Sequence, residues 1–334
     1  MRPFKFTNAG SASLAIALAT KNPGASFLAG GTNLIDLMKE DVAQPDELID
    51  LARLDLTSIR TLGAAGISLG ALGKNTDAAN HPLIRKDFPL LSKAILAGAS
   101  AQIRNMASNG GNLMQRTRCS YFYDTAMPCN KRSPGTGCSA MQGVNRMHAI
   151  FGWSENCIAV YPSDMAVALS ALGATIKVMQ SEGKTQSIAI DDFHRLPGDE
   201  PQKDNNLKQG ELITSIEIPG NSFAAHSAYL KVRDRNSYAF ALVSVAAGLQ
   251  LSGNKIVAVR IAMGGVAHKP WRALKAEKAL IGQMANLANF KAAAAAEMDE
   301  ARPLEHNKFK VEMGRNTLVH ALEQALNGTE SPTH

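Results

Sequence analysis

Ser108-Asn109-Gly110-Gly111-Asn112-Leu113 opens the part of the chain on which the reading turns. This glycine turn sits inside residues 104–157, a segment that also carries every cysteine of the protein: Cys119, Cys129, Cys138 and Cys157. Pro128, Pro134, Gly135 and Gly137 break up any helix or strand there. A loop this long within a compact domain is as a rule functional or disordered. Four thiols gathered in it argue for order, because thiolates around an ion or a cluster hold a loop in place.

Upstream, Ala29-Gly30-Gly31-Thr32-Asn33-Leu34 repeats the theme. A short buried strand, residues 26–29, leads straight into the glycines, and residues 34–39 read as a helical turn. Strand, glycine loop and helix in this order suit phosphate: glycines let the backbone approach an anion, and successive N–H groups point at it. One such turn is a weak signal. Two of them suit a dinucleotide, whose pyrophosphate they can hold from both sides.

The cysteines are separated by nine, eight and eighteen residues. Disulfides require an oxidising compartment. Structural zinc shows short Cys-x2–4-Cys pairs, which are missing here. An iron–sulfur cluster held by four thiolates tolerates long loops and gains from nearby cations such as Lys131, Arg132 and Arg146. Spacing alone leaves cluster, zinc, disulfide and free core thiols open.

The chain has 334 residues, 45% of them apolar and 19% charged, the composition of a globular protein of two or three units. No run of about 18 apolar residues spans a membrane. The net charge of +6 is spread along the chain, which predicts a solvated surface and not a nucleic-acid partner. The N-terminus lacks the apolar core and cleavage site of a secretory signal. The expected location is the cytoplasm, or the far side of a membrane reached with a signal-bearing partner.

Three units are expected: 1–57, 58–222 and 223–330. Ser11 or Ser13 caps a helix ended by Asn22-Pro23-Gly24. Thr76 caps a helical stretch, residues 90–101 form one long apolar helix, and Ser163 or Asp164 caps the helix at 165–172. Residues 174–179 and 185–190 pair as a hairpin, 196–210 is an exposed loop, and 211–218 is a strand. In the last unit, strands at 227–233, 239–251 and 255–263 precede helices at 276–280, 291–298 and 308–326.

Together these motifs resemble the FAD subunits of the xanthine dehydrogenase and molybdenum hydroxylase family. Residues 29–34 resemble the first flavin-binding loop and residues 108–113 the second. Pro162-Ser163-Asp164-Met165-Ala166 is similar to the family's Ser-Asp segment, and residues 264–272 to the start of the helical part of its C-terminal domain. Most members pass almost directly from the second loop to the Ser-Asp segment. The four-cysteine insertion resembles the 4Fe–4S loop, here 115–160, of the periplasmic aldehyde oxidoreductases and of 4-hydroxybenzoyl-CoA reductase, with Cys119-Ser120-Tyr121-Phe122-Tyr123-Asp124 most similar to the former. Asn109 departs from the small or apolar residue common in the family.

The resemblance implies an α+β fold. A two-part FAD-binding domain of the vanillyl-alcohol-oxidase type is followed by an α+β C-terminal domain of the CO dehydrogenase flavoprotein type. It implies that Ser26-Phe27-Leu28-Ala29-Gly30-Gly31-Thr32-Asn33-Leu34 wraps the FAD pyrophosphate, with Gly31 leaving room that a branched side chain would take. Ser108, Gly111 and Asn112 bond the cofactor from the second loop. Asp164 holds its ribityl or ribose side, Ile213 packs on a ring, and Lys231 stands by the isoalloxazine, where a positive charge favours the anionic reduced ring. Read locally, the last three are a helix cap, a core residue and a solvated strand residue. The four cysteines ligate a 4Fe–4S cluster. The implied assembly adds a large molybdopterin subunit, a small 2Fe–2S subunit and an external electron acceptor. Its implied activity is aldehyde oxidation to a carboxylic acid, with periplasmic location by co-export.

Overall fold

A computed structural model describes residues 1–220 and 223–329. The expected unit boundary at 222 and the end at 330 lie outside the described residues. Three sheets organise them. β1 (Lys5–Asn8), β2 (Ala25–Leu28) and β3 (Glu47–Asp50) form a parallel sheet in the order β1-β3-β2. β4 (Ile59–Thr61), β5 (Gly66–Gly70), β6 (Thr175–Met179), β7 (Thr185–Ala189) and β8 (Leu212–Pro219) form an antiparallel sheet ordered β4-β5-β8-β6-β7. β9 (Ser227–Val232), β10 (Val243–Ser252), β11 (Lys255–Gly264) and β12 (Trp271–Arg272) form the third, ordered β12-β11-β10-β9.

Each sheet buries an apolar face under helices, which is the usual way such elements remove their hydrophobic side from water. Helices Pro89–Ala97 and Asp164–Leu172 pack together beside the five-stranded sheet, with Leu91, Leu169, Ile176 and Ile216 at the centre of that core. Helices Leu274–Leu280 and Phe309–Leu326 cover the C-terminal sheet over Val245 and Ile261, and helix Leu287–Met298 packs on both of them. Val178 to Met179 and Ile213 to Leu212 pair across β6 and β8 beyond a register shift.

Ser11 and Ser163 cap their helices as expected, accepting from the backbone N–H of Leu14 and Ala166. Four expectations change. Lys74, not Thr76, precedes helix Asn75–Asn80, and the Thr76 hydroxyl instead donates to the Asn105 side chain at 2.6 Å. The helix expected at 90–101 is two helices, Pro89–Ala97 and Ala101–Met106, because Ala99 is left-handed (φ 52°) and Ser100 starts afresh as a cap. The strand expected from 239 begins at Val243, after a left-handed Tyr238. Residues 196–210 are not simply exposed, since Pro201 is buried and Asp204 is drawn inward.

The cysteine segment is stitched to the C-terminal unit. Ile150 and Phe151 donate their N–H groups to the Val266 carbonyl, Arg302 N–H to the Ile150 carbonyl, and Tyr161 N–H to the Ala267 carbonyl. Asn307 Nδ2 bonds the His148 and Ala149 carbonyls, both at 3.2 Å. Fully buried Lys310 donates to the carbonyls of His148 (3.0 Å) and Gly265 (2.8 Å). Burial, and then the charge of Arg146, pull the Lys310 ammonium down to about 7. Between about pH 7 and 10 the unfolded chain therefore holds a proton that the folded chain has released, so stability rises with pH through that window. Lys310→Met is expected to remove a slope of up to about 1.4 kcal/mol per pH unit, read as urea midpoints of both proteins at pH 7 and pH 9.

Candidate functional site

The two glycine loops meet. Gly30 packs so closely on the end of helix Ala101–Met106 that a Cβ there would collide with the Met106 carbonyl oxygen. Asn75 N–H donates to Ala107 O at 2.9 Å and Asn109 N–H to Gly73 O at 2.9 Å, which seats the second loop on the turn after β5. That second loop is a short helix, Asn109–Leu113, whose cap Ser108 accepts from Gly111 N–H at 3.1 Å. Asn109, fully buried, is satisfied: its Nδ2 donates to Gly70 O and its Oδ1 accepts from Asn75 Nδ2, both at 3.1 Å. Asn75 Oδ1 in turn accepts from Asn112 Nδ2 at 2.7 Å. An amide chain thus takes the place of the apolar packing that a smaller residue at 109 would give.

Between the loops runs a groove of about 810 Å³. Thr32 and Asn33 line it from the first loop, Gly111 and Asn112 from the second, and Asp164 and Lys231 from the far side. Helix Asp164–Leu172 and strand β9 position the last two. Ser163 Oγ donates to Asn112 Oδ1 at 2.5 Å, joining the Ser-Asp segment to the second loop. Asn33 Oδ1 accepts from Arg116 N–H at 2.8 Å, and the Tyr123 hydroxyl donates to Asp36 at 2.9 Å. These two bonds tie the first loop to the start of the cysteine segment.

Other expected residues stand elsewhere. Ser26, Phe27 and Leu28 lie in β2, paired with β3, and Phe27 and Ala29 pack on the N-terminal core. Leu34 starts helix Leu34–Lys39. Ile213 lies in β8 within the core of the five-stranded sheet and does not line the groove, because strand alternation turns it inward. Gly31 is left-handed (φ 71°), and a Cβ there would face Ile35 at 3.1 Å. Its requirement is thus conformational, and Gly30 is the glycine that close approach demands.

Asp164 and Lys231 also read differently in space. Both side chains are nearly buried, and Asp164 Oδ2 accepts from Lys231 Nζ at 2.8 Å. Asp164 Oδ1 accepts from the Tyr229 hydroxyl at 2.5 Å, and Lys231 also donates to Ala97 O at 3.0 Å. Burial, reinforced by the Asp164 charge, pushes the Tyr229 phenol well up, so it stays a donor. Neither oxygen of Asp164 is left without a protein partner, and the charge of Lys231 is neutralised where it enters the groove.

All four cysteines are unpaired thiols lining one small cavity with Phe122 and Lys131. Cys129 and Cys138 pair as an isolated antiparallel bridge, and Cys157 pairs likewise with Ser154. Arg132 reaches back to the carbonyls of Tyr121 (3.0 Å) and Phe122 (2.8 Å). Burial raises Cys119 to about 11 and Cys157 to about 12. Among the described residues no three His, Cys, Asp or Glu side chains are grouped to hold a single metal ion.

Asp204 is a residue beside the site that sequence reasoning missed. It accepts from Arg116 Nε and from the buried Lys131 Nζ, both at 2.6 Å, and so clamps the 196–210 loop onto the cysteine segment. Burial pushes its carboxyl up, but Arg116 and Lys131 outweigh this and hold it below the usual range. Nothing in the polar run around it marks it out.

Comparison with known proteins places this geometry. Residues 2–221 match the family described as the FAD binding domain in molybdopterin dehydrogenase. The chain belongs to that family. Residues 227–325 match the CO dehydrogenase flavoprotein C-terminal domain. The aldehyde oxidoreductase FAD-binding subunit of Escherichia coli is 47% identical over 97% of this chain and 99% of its own length. The glyceraldehyde dehydrogenase medium chain of Sulfolobus acidocaldarius is 29% identical over 85% of this chain and 83% of its own. Among solved structures, CO dehydrogenase from Oligotropha carboxidovorans superposes with a TM-score of 0.77 at 25% identity, over 98% of this chain and 99% of that one. The fold is thus the family's α+β arrangement, and the chain is a subunit of an oxidoreductase. The groove fits FAD: its volume lies in the range of cofactor sites, and Thr32 and Asn33 from the first loop face Gly111 and Asn112 from the second across it, the two loops being held together by the close packing of Gly30.

Proposed function

We propose that this chain is the FAD- and 4Fe–4S-containing electron-transfer subunit of a molybdenum-dependent aldehyde oxidoreductase. In this reading it works with a large molybdopterin subunit and a small 2Fe–2S subunit. The supporting relatives are the FAD-binding and medium chains named above, the most similar of the two curated ones an aldehyde oxidoreductase subunit. When bound, FAD supplies the capacity to take electrons one at a time from a partner's 2Fe–2S centre and pass them to an external acceptor. The chain's residues orient it. The Gly111 backbone approaches it, Asn33 and Asn112 are held in place by Arg116 and Asn75, and the Asp164–Lys231 pair closes the far wall.

The observation that carries the cluster is the set of four cysteines around one cavity beside that groove. A single zinc ion at about 2.3 Å from each sulfur needs its ligands about 3.8 Å apart. Among the described residues no such group is present, while four thiols around one cavity are the donor set that a 4Fe–4S cluster takes. The buried Lys131 and the half-buried Arg132 would offset its negative charge. Purified protein is expected to hold FAD and about four irons per chain, and Cys129→Ser to lose most of the iron. Zinc in place of iron, or iron unchanged in Cys129→Ser, would refute the cluster. Loss of iron with FAD retained would show that the two sites load independently.

A further inference from the structure

His148 stands between the cysteine cavity and a second cavity. Its Nε2 lies 3.1 Å from the sulfur of Cys119. Nδ1 has no hydrogen-bond partner, which leaves the sulfur as the ring's bonding partner. The residue is only 4% exposed, and its backbone carbonyl is held by Lys310 Nζ at 3.0 Å, so the backbone that carries the ring is anchored. The second cavity, about 440 Å³, is mostly apolar, and Cys119 is the one cysteine that lines it. This cavity shares Arg118, Pro162, Ser163 and Asp164 with the FAD groove. Cys119 is therefore the cysteine on the flavin side.

We propose that His148 donates its Nε2–H to the Cys119 sulfur and thereby raises the reduction potential of the cluster at the edge facing the groove. The inference rests on the cluster reading above. A thiolate bound to iron carries no proton, so the imidazole must supply the hydrogen. Hydrogen bonds to ligand sulfur stabilise the reduced cluster, which carries the greater negative charge, and shift its potential upward. Burial strengthens such a bond by keeping water from competing for either partner. His148 is on this account a positioning residue: it touches a ligand and not the irons.

The test is a redox titration of the intact iron- and FAD-containing protein followed by electron paramagnetic resonance, with iron analysis alongside. His148→Leu removes the donor at similar volume and is expected to shift the cluster midpoint to more negative potential with iron retained. His148→Gln keeps an N–H at comparable reach and is expected to restore most of the shift. Full iron with an unmoved midpoint in His148→Leu would overturn the proposal and leave the cluster standing. Unaltered protein without iron would overturn the cluster reading itself. Should His148→Leu fail to hold iron, unaltered protein labelled with nitrogen-15 histidine decides. An exchangeable proton and a histidine nitrogen coupled to the reduced cluster support the bond, and neither coupling refutes it.

Discussion

Gly30→Val is expected to leave the groove largely empty of FAD. The new Cβ would press on the Met106 carbonyl, which is backbone and cannot swing aside, and Met106 C at 2.9 Å and Ala107 Cα at 3.0 Å are also closer than packed atoms ordinarily come. The first loop must then move off the second. Overpacking of this kind costs about 3 kcal/mol. Expressed in cofactor affinity, that is roughly a hundredfold weakening. The ratio of flavin to protein absorbance after dialysis measures it. Gly10→Ala is the control, since a Cβ there meets nothing within 4 Å. A Gly30→Val protein with full flavin would mean that the close approach of the two loops is not what makes the site.

Asp164→Ala is expected to cost about 4 kcal/mol of stability, because removing one partner of a buried ion pair leaves an uncompensated charge. Here the Lys231 ammonium would lose its carboxylate and the Tyr229 hydroxyl its acceptor. The double variant Asp164→Leu, Lys231→Met takes out both charges and is expected to recover most of the loss, since an apolar pair of similar volume often replaces a buried ion pair at little cost. Urea unfolding of the three proteins decides. A single variant that loses less than about 1 kcal/mol would free the carboxylate from its structural role and return it to a direct contact with the cofactor.

These two residues show where sequence stops being informative. Glycine loops and serine caps are legible because their causes are local: a positive φ at Gly31, or a hydroxyl three residues ahead of an unpaired N–H at Ser11 and Ser163. The bond from Asp164 to Lys231 spans 67 residues of chain, and no local pattern announces it, so the pair read as a cap and a solvated strand residue. Asp204 was hidden for the same reason. Its partners Arg116 and Lys131 are 88 and 73 residues away. The break between helices at Ala99 misled in another way, because alanine itself gives no sign of a left-handed backbone. At Ile213 resemblance and pattern part: the resemblance puts it on a ring of the cofactor, and the described structure puts it in the core. Its strand position was correct, and the alternation of that strand turns it into the core.

The stitching of residues 145–161 to partners near 265, 302 and 307–310 has a consequence for synthesis. On the ribosome the chain emerges from its first residue onward, so the cysteine excursion is made long before its anchors. Until Lys310 leaves the exit tunnel, this stretch lacks those anchors, so the proposed cluster is expected to be inserted only when translation is nearly complete.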